Sequence, residues 1–460
     1  MLPCRAGLFP ALFLAWPVAA AEEERAPDTV APFVHRAGES LAFVGDETVC
    51  DGRWCQYVEN YFFTRFPDRK LVFHHAGLKM DTAGDVLARF DADPGERKPD
   101  YVIIQLGTWD GGLAGFDPGR VRVFQRNMEE LLRRFEDLGT EPFLMSPPLV
   151  DMQVHRERVD ADPSYRFRLT RLAPDYNGVM AYCAAWLGEL AWERRLRFFD
   201  AWGALAAATA RERRVNPAFS LMPEGLLADA GGHAVMAATV IEGLAAEGAG
   251  QGSEVFLTRG EGEAGWRSQV SGGSLTQLEG SDSGVGWTWL AKFLPWGMPE
   301  EAFIGVQVAG MDERFNPERL QVLGLREGDY ELRMEGEALQ SFTAEQLRRG
   351  VELHPLWNRP GYRRAQEIAA RNAKRHADTV RPMRELWQRL GEVRRNHPGD
   401  AERERQTAAE IAPELSALRQ AAREEADAIY AAARPGAIRC ELRRILTPEE
   451  RKAAEKAGTP

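Results

Sequence analysis

Short apolar runs alternate with longer amphipathic stretches from residue 41 to residue 244. Leu41–Val44, Lys70–Phe73, Tyr101–Leu106, Pro142–Met145 and Arg197–Asp200 each read as a buried strand. Between them Thr82–Phe90, Val121–Leu138 and Tyr176–Arg194 read as helices. In the second, Val123, Met128, Leu131, Leu132 and Phe135 fall near helical spacing and give it one apolar side. Strands separated by helices predict a parallel sheet covered on both faces, with ligands bound beyond the carboxyl ends of the strands.

The pattern then changes. Residues 247–254 form a Gly-rich linker. In a β-rich module over 255–350, Leu320–Leu325 and Asp329–Glu335 alternate like two antiparallel strands joined by a turn. Thr343 and Gln346 are spaced as a capping box opening a short helix that ends at Gly350. Over 361–435, Met383, Leu386, Leu390 and Val393 mark one helical face. Leu415, Leu418, Ala422 and Ile429 mark another after the break at 396–399, which predicts a helical hairpin. Its charged outer faces read most simply as solvated surface; recruitment of a protein partner is the alternative. Residues 447–460 read as a frayed tail.

The N-terminus reads differently from either region. One cation at Arg5, an apolar run from Leu8 to Val18 and small residues at Ala19–Ala21 have the layout of a cleavable signal peptide over residues 1–21. The run is too short to span a bilayer, so the mature chain is expected in the periplasm or outside the cell, with no transmembrane segment. A net charge of −11 argues against nucleic acid as a partner. Cys50, Cys55, Cys183 and Cys440 remain after signal removal; the spacing of Cys50 and Cys55 leaves a bridge and two free thiols equally open. No zinc-like Cys/His grouping appears. His74 and His75, adjacent on a strand, should point to opposite faces and not share an ion. No cofactor or metal is expected. Trp287, Trp289 and Trp296 read as core rather than a sugar platform.

Candidate chemistry gathers at the strand ends. Gly45-Asp46 follows the first strand, Met80-Asp-Thr82 the second, Gly107-Thr-Trp-Asp110 the third and Ser146-Pro-Pro148 the fourth, and Glu224–Ala234 leads into a last helix. The order of these blocks over residues 38–246 resembles the SGNH, or GDSL, hydrolase superfamily of esterases and acylhydrolases. Residues 255–435 are similar to the C-terminal extension of a bacterial subgroup, notably at Leu323–Tyr330 and Phe342–Glu345. The resemblance implies a flavodoxin-like three-layer α/β/α domain with a five-stranded parallel sheet. It also implies a nucleophilic serine, a glycine and an asparagine that bind the oxyanion, and an Asp-x-x-His pair.

Here each of those positions is changed. Glu47 stands for the serine, Met80 for the glycine, Trp109 for the asparagine, Glu224 for the aspartate and Leu227 for the histidine. The expected pocket comprises Asp46, Glu47, Thr48, Met80, Trp109, Asp110, Glu224, Leu227 and His233, none of them an intact catalytic residue. Thr48 reads as an N-cap or core hydroxyl and His233 as a structural start to the closing helix. Asp46, Glu47, Asp110 and Glu224 could form a carboxylate pair for a cation or for acid-base work. The simpler reading has Asp46 and Asp110 fastening loops, with Glu47 and Glu224 no longer under selection. The sequence therefore points to a catalytically degenerate protein kept for binding a carbohydrate or another exported protein. An active carbohydrate or acyl esterase using non-standard residues is the alternative.

Overall fold

The computed structural model describes residues 31–165, 172–245, 250–260 and 265–450. The expected signal peptide, residues 246–249 and the tail from 451 lie outside the described residues.

The first region is built from β1 (Ser40–Gly45), α1 (Glu47–Asp51), α2 (Arg53–Arg65), β2 (Val72–Gly77), α3 (Ala83–Ala88), β3 (Tyr101–Gln105) and α4 (Pro118–Asp137). It continues through β4 (Glu141–Met145), α5 (Met152–Ala161), α6 (Tyr176–Arg194), β5 (Arg197–Phe199), α7 (Ala201–Glu212) and α8 (Ala230–Gly243). The strands form one parallel sheet in the flavodoxin-like order β2-β1-β3-β4-β5. Successive side chains on a strand face opposite ways. Leu41, Phe43 and Ile103 accordingly pack with α2, α7 and α8, while Ala42, Val44 and Ile104 pack with α3, α4 and α6. The outcome is a three-layer α/β/α domain.

Two paired glycines shape the end of the sheet that faces α1. Gly45 lies opposite Gly77 in the β1–β2 register. A Cβ at Gly45 would come 2.4 Å from the Gln105 carbonyl oxygen, and one at Gly77 would come 2.6 Å from the Cys50 nitrogen. The absence of side chains at both positions lets α1 sit directly on the strand ends.

β2 begins later than the apolar pattern indicates, at 72 instead of 70. The Tyr430 hydroxyl donates to the Leu71 carbonyl and accepts from the Leu71 N–H, which holds Leu71 outside the ladder. His74 and His75 thus lie within the strand. The pattern also missed α2, whose polar residues Gln56, Glu59, Asn60 and Thr64 are buried with the apolar ones and do not mark a solvent face.

The remainder contains β6 (Ser253–Thr258), β7 (Arg267–Ser271), β8 (Gly273–Ser281), β9 (Gly284–Ala291), α9 (Phe303–Val308), α10 (Met311–Phe315), β10 (Glu318–Leu323), β11 (Asp329–Met334) and β12 (Glu337–Thr343). After these come α11 (Ala344–Arg349), β13 (Val351–Glu352), α12 (Pro360–Arg375), α13 (Arg381–Asn396), α14 (Ala401–Ala432) and β14 (Ala437–Arg444). Two sheets, β13-β10-β6-β7 and β12-β11-β14-β9-β8, enclose a shared core that includes Trp287, Trp289, Tyr330 and Leu442. The expected β10–β11 hairpin does not form. Gly324 and Gly328, both at positive φ, turn the chain so that β10 joins one sheet and β11 the other. The capping box at Thr343 and Gln346 is present and opens α11. Trp296 is buried against Tyr61 and Phe315.

The C-terminal helices dock on the α/β domain. Ala365, Ile368, Ile429 and Tyr430 pack around Phe63 of α2, and Leu386, Trp387, Leu390, Ile411 and Leu415 pack with Leu78. Between α12 and α13, residues 376–380 form a π-helical turn. Pro382 follows at once and has no N–H to offer the carbonyl four residues earlier, which loosens the helix there. Where fraying was expected, Thr447 and Glu450 exchange capping hydrogen bonds.

Candidate functional site

Beyond the carboxyl ends of β1 and β2 lies a cleft of about 710 Å3. Its floor comes from α1, the segment before α8 and the first turn of α8, which supply Glu47, Thr48, Cys50, Asp51, Glu224, Leu227, Asp229 and His233. Its roof is one face of α13: Arg381, Arg384, Glu385, Gln388, Arg389 and Glu392 recur at helical spacing and all line it. Lys79 and Arg53 complete the wall, and no aromatic ring is among the lining residues.

Of the nine residues expected to share a pocket, Glu47, Thr48, Glu224, Leu227 and His233 line this cleft; Asp46, Met80, Trp109 and Asp110 do not. Asp46 is fully buried and caps α1, accepting from the Thr48 N–H at 3.1 Å. The cap is therefore Asp46 and not Thr48, because the turn at Gly45 aims the Asp46 carboxylate at the free N–H groups of the helix start. Burial pushes the Asp46 carboxyl up to about 6. Asp110 accepts from the Ala83 N–H at 2.9 Å and so fastens the start of α3; burial pushes it up to about 7. Both aspartates fasten backbone, and each also feels a neighbouring carboxylate, Asp46 that of Glu47 and Asp110 that of Asp46.

Met80 projects outward, 56% exposed, with φ of 63°. Its backbone adopts the left-handed conformation that suits glycine, although the residue is not glycine. Trp109 turns inward. It packs against the cluster of Val150, Tyr176 and Leu226 that Leu227 also touches, and its indole N–H is buried without a hydrogen-bond partner among the described residues. Met80 and Trp109 thus stay off the cleft lining, and the cleft stays open beside Leu227.

His233 is buried on the first turn of α8, after the Asp229 cap that accepts from the Gly232 N–H at 2.7 Å. Its Nε2 is 3.6 Å from the Asp51 carboxylate, and its Nδ1 has no hydrogen-bond partner among the described residues. Burial holds the ring down to about 4, so it is neutral at pH 7. Burial also raises the Cys50 thiol, which keeps it protonated. Among the described residues, neither the Thr48 hydroxyl nor the Cys50 thiol is hydrogen-bonded to a histidine.

The sequence model of the GDSL-like lipase/acylhydrolase family matches residues 37–218. The match falls within the three-layer domain, which has the SGNH hydrolase fold. No curated protein matches the chain in sequence. Among solved structures, a gut microbial diltiazem-metabolizing enzyme is similar over 91% of this chain and 99% of its own, with 19% identity and a TM-score of 0.74, a likeness of fold. An acetylxylan esterase from Geobacillus stearothermophilus matches over 45% of this chain and 95% of its own, with 19% identity and a TM-score of 0.34. An α/β hydrolase enzyme from the metagenome of Lake Arreo, Spain, matches over 46% of this chain and 96% of its own, with 20% identity and a TM-score of 0.33.

One cluster that the sequence did not reveal lies where the SGNH domain meets the hairpin. Glu59, His75 and His376 bring potential metal-ligand atoms within 4.8 Å of one another. Glu59 is fully buried, and four donors already occupy its carboxylate. His75 Nε2 sits at 2.8 Å, His376 Nε2 at 2.6 Å, Arg375 Nη2 at 2.6 Å and Asn372 Nδ2 at 3.0 Å. The adjacent Arg375 cation opposes a second positive charge, and the set reads as a closed hydrogen-bond network. His74 is not part of it and lines a separate cavity. A single Glu on an unrecognised helix carried no sequence signal for this network. The polar stripe of α13 was legible as a helical face, but nothing in it indicated what it would roof. Among the described residues no helix is long and apolar enough to cross a membrane.

Proposed function

We propose that the chain is an exported SGNH-fold protein that has lost the family's esterase machinery and is kept for binding a polar, carbohydrate-like ligand in the cleft under α13. The observation that carries this reading is the pair Glu47 and Leu227. Both line one open cleft at the positions where the family resemblance requires a nucleophile and its base. A carboxylate there offers no alkoxide, and an aliphatic side chain takes no proton. The cleft's size suits a small ligand, and its lining of carboxylates, guanidinia and an amide suits hydroxyl groups better than an acyl chain.

The test is hydrolysis of short acyl p-nitrophenyl esters and of acetylated sugars, together with labelling by a fluorophosphonate probe. The expected result is no turnover and no labelling. Calorimetric binding of an oligosaccharide panel should then be lost on Leu227→Trp, which fills the cleft.

The His233–Asp51 pair favours a second reading, an ester hydrolase in which His233 serves as base to a water. In that case turnover would be present in the unaltered protein and abolished by His233→Gln.

A further inference from the structure

A second cavity, of about 380 Å3, lies on the other side of α13, between the edge strand β2 and the last helix. One face of α14 lines it: Arg419, Ala422, Arg423, Ala426, Asp427 and Tyr430 recur at helical spacing over about 16 Å. The cavity exists because this face carries alanine at 422 and 426, opposite Val72, Phe73 and His74 of β2. Larger residues there would close the space, as Leu415 and Ile411 do about two and three turns earlier against Leu78. Val380 and Met383 extend the apolar wall.

The charges are unevenly arranged around it. At one end Lys70 is matched by Asp427 at 2.5 Å, and at the floor Arg384 is matched by Asp93 at 2.8 Å. At the other end Arg97, Arg419 and Arg423 converge on His74, and one carboxylate, Glu96, lies 3.6 Å from Arg97 and 3.0 Å from Arg419. Arg423 has no ion-pair partner among the described residues. Burial, and then these three guanidinia, hold His74 near 3, so it stays neutral and adds no repulsion. A chain of net charge −11 thus gathers three guanidinia around one carboxylate at the mouth of an apolar slot. Such a gathering of like charge is unfavourable until an anion enters.

We propose that this cavity binds an amphiphilic organic anion, with its anionic head between Arg97, Arg419 and Arg423 and its alkyl chain along Ala422 and Ala426 toward Phe73 and Met383. The inference does not depend on the reading of the α1 cleft.

The experiment is calorimetric titration of the full mature chain with decanoate, decanol and inorganic phosphate. Decanoate is expected to bind at one saturable site. Decanol, which lacks the charge, and phosphate, which lacks the chain, should each bind at least tenfold more weakly. Arg423→Glu, a change on an exposed helix position, should weaken decanoate at least tenfold with an unchanged circular dichroism spectrum. Ala426→Leu should remove binding by filling the slot, while Leu227→Trp in the other cleft should leave it intact. Equal affinity for decanol, tighter binding of phosphate, absence of a saturable site, or loss on Leu227→Trp with retention in Arg423→Glu would each overturn the proposal.

Discussion

Replacing Glu59 with glutamine tests how the hairpin is held to the α/β domain. Glu59 is fully buried on α2, and three of its four donors, Asn372, Arg375 and His376, come from the C-terminal helices. Glutamine keeps the shape but removes the charge and turns an NH2 toward donors. Arg375, with a side chain only 4% exposed, is then left as an uncompensated buried cation. Breaking a buried pair from one side costs about 3–5 kcal/mol. A chain of this size gains roughly 0.9 kcal/mol/K of unfolding entropy, so a loss of 4 kcal/mol lowers Tm by about 4–5 °C if it unfolds as one unit. Scanning calorimetry and urea titration followed by tryptophan fluorescence measure this. The double change Glu59→Leu with Arg375→Met should recover more than half of the loss, because neither charge is then orphaned. The network also sets an acid limit. Glu59 is held well below 4.5, with burial opposed by Arg375 and both histidines, and burial holds His376 down to about 4. The unfolded chain binds more protons than the native one in that range, so stability is full above pH 6.5 and is lost as pH falls toward 4 and below. A Glu59→Gln protein within about 1 kcal/mol of the parent would refute the reasoning. So would a Tm that drops by several degrees on treatment with a chelator, since a metal ion would then be holding the three ligands.

Three further outcomes follow from single positions. Asp46 is held at about 6 instead of 3.8, so its native carboxyl binds the proton more tightly and its ionisation costs about 3 kcal/mol above pH 6. Asp46→Asn, which keeps the cap, should be more stable than the parent by up to that amount at pH 8 and equal to it near pH 4, measured by urea midpoints. Met80→Gly should raise stability by up to about 1 kcal/mol by relieving the left-handed backbone, and Met80→Val should lower it by about as much, a β-branched residue being worse there. Thr343→Ala removes a capping-box hydroxyl from α11 and should cost about 1 kcal/mol in the same assay.

The position of the candidate site was legible because it depends on local signals. A glycine with an aspartate after an apolar strand marks the turn into α1 at Gly45-Asp46, and the same logic marks Gly107 and Asp110 after β3. Such signals locate a loop at the sheet edge; they do not say which way its side chains turn. Trp109 and Met80 were placed in the pocket on position alone. The packing demand of Val150, Tyr176 and Leu226 pulls the first inward, and a positive φ swings the second out to solvent.

What the sequence by itself determined was the alternation of five strands with amphipathic helices and the capping box at Thr343 and Gln346. These rest on periodicity and on residue identity, which need no knowledge of distant neighbours. The tertiary structure alone decided that α13 roofs the cleft, that Glu59 is shared between α2 and the hairpin, that β10 and β11 part into different sheets, and that β14 returns between β11 and β9 after the helices. Each of these pairs residues far apart in the chain. Their contact energy depends on which surfaces meet, and a linear pattern of polar and apolar positions does not encode that.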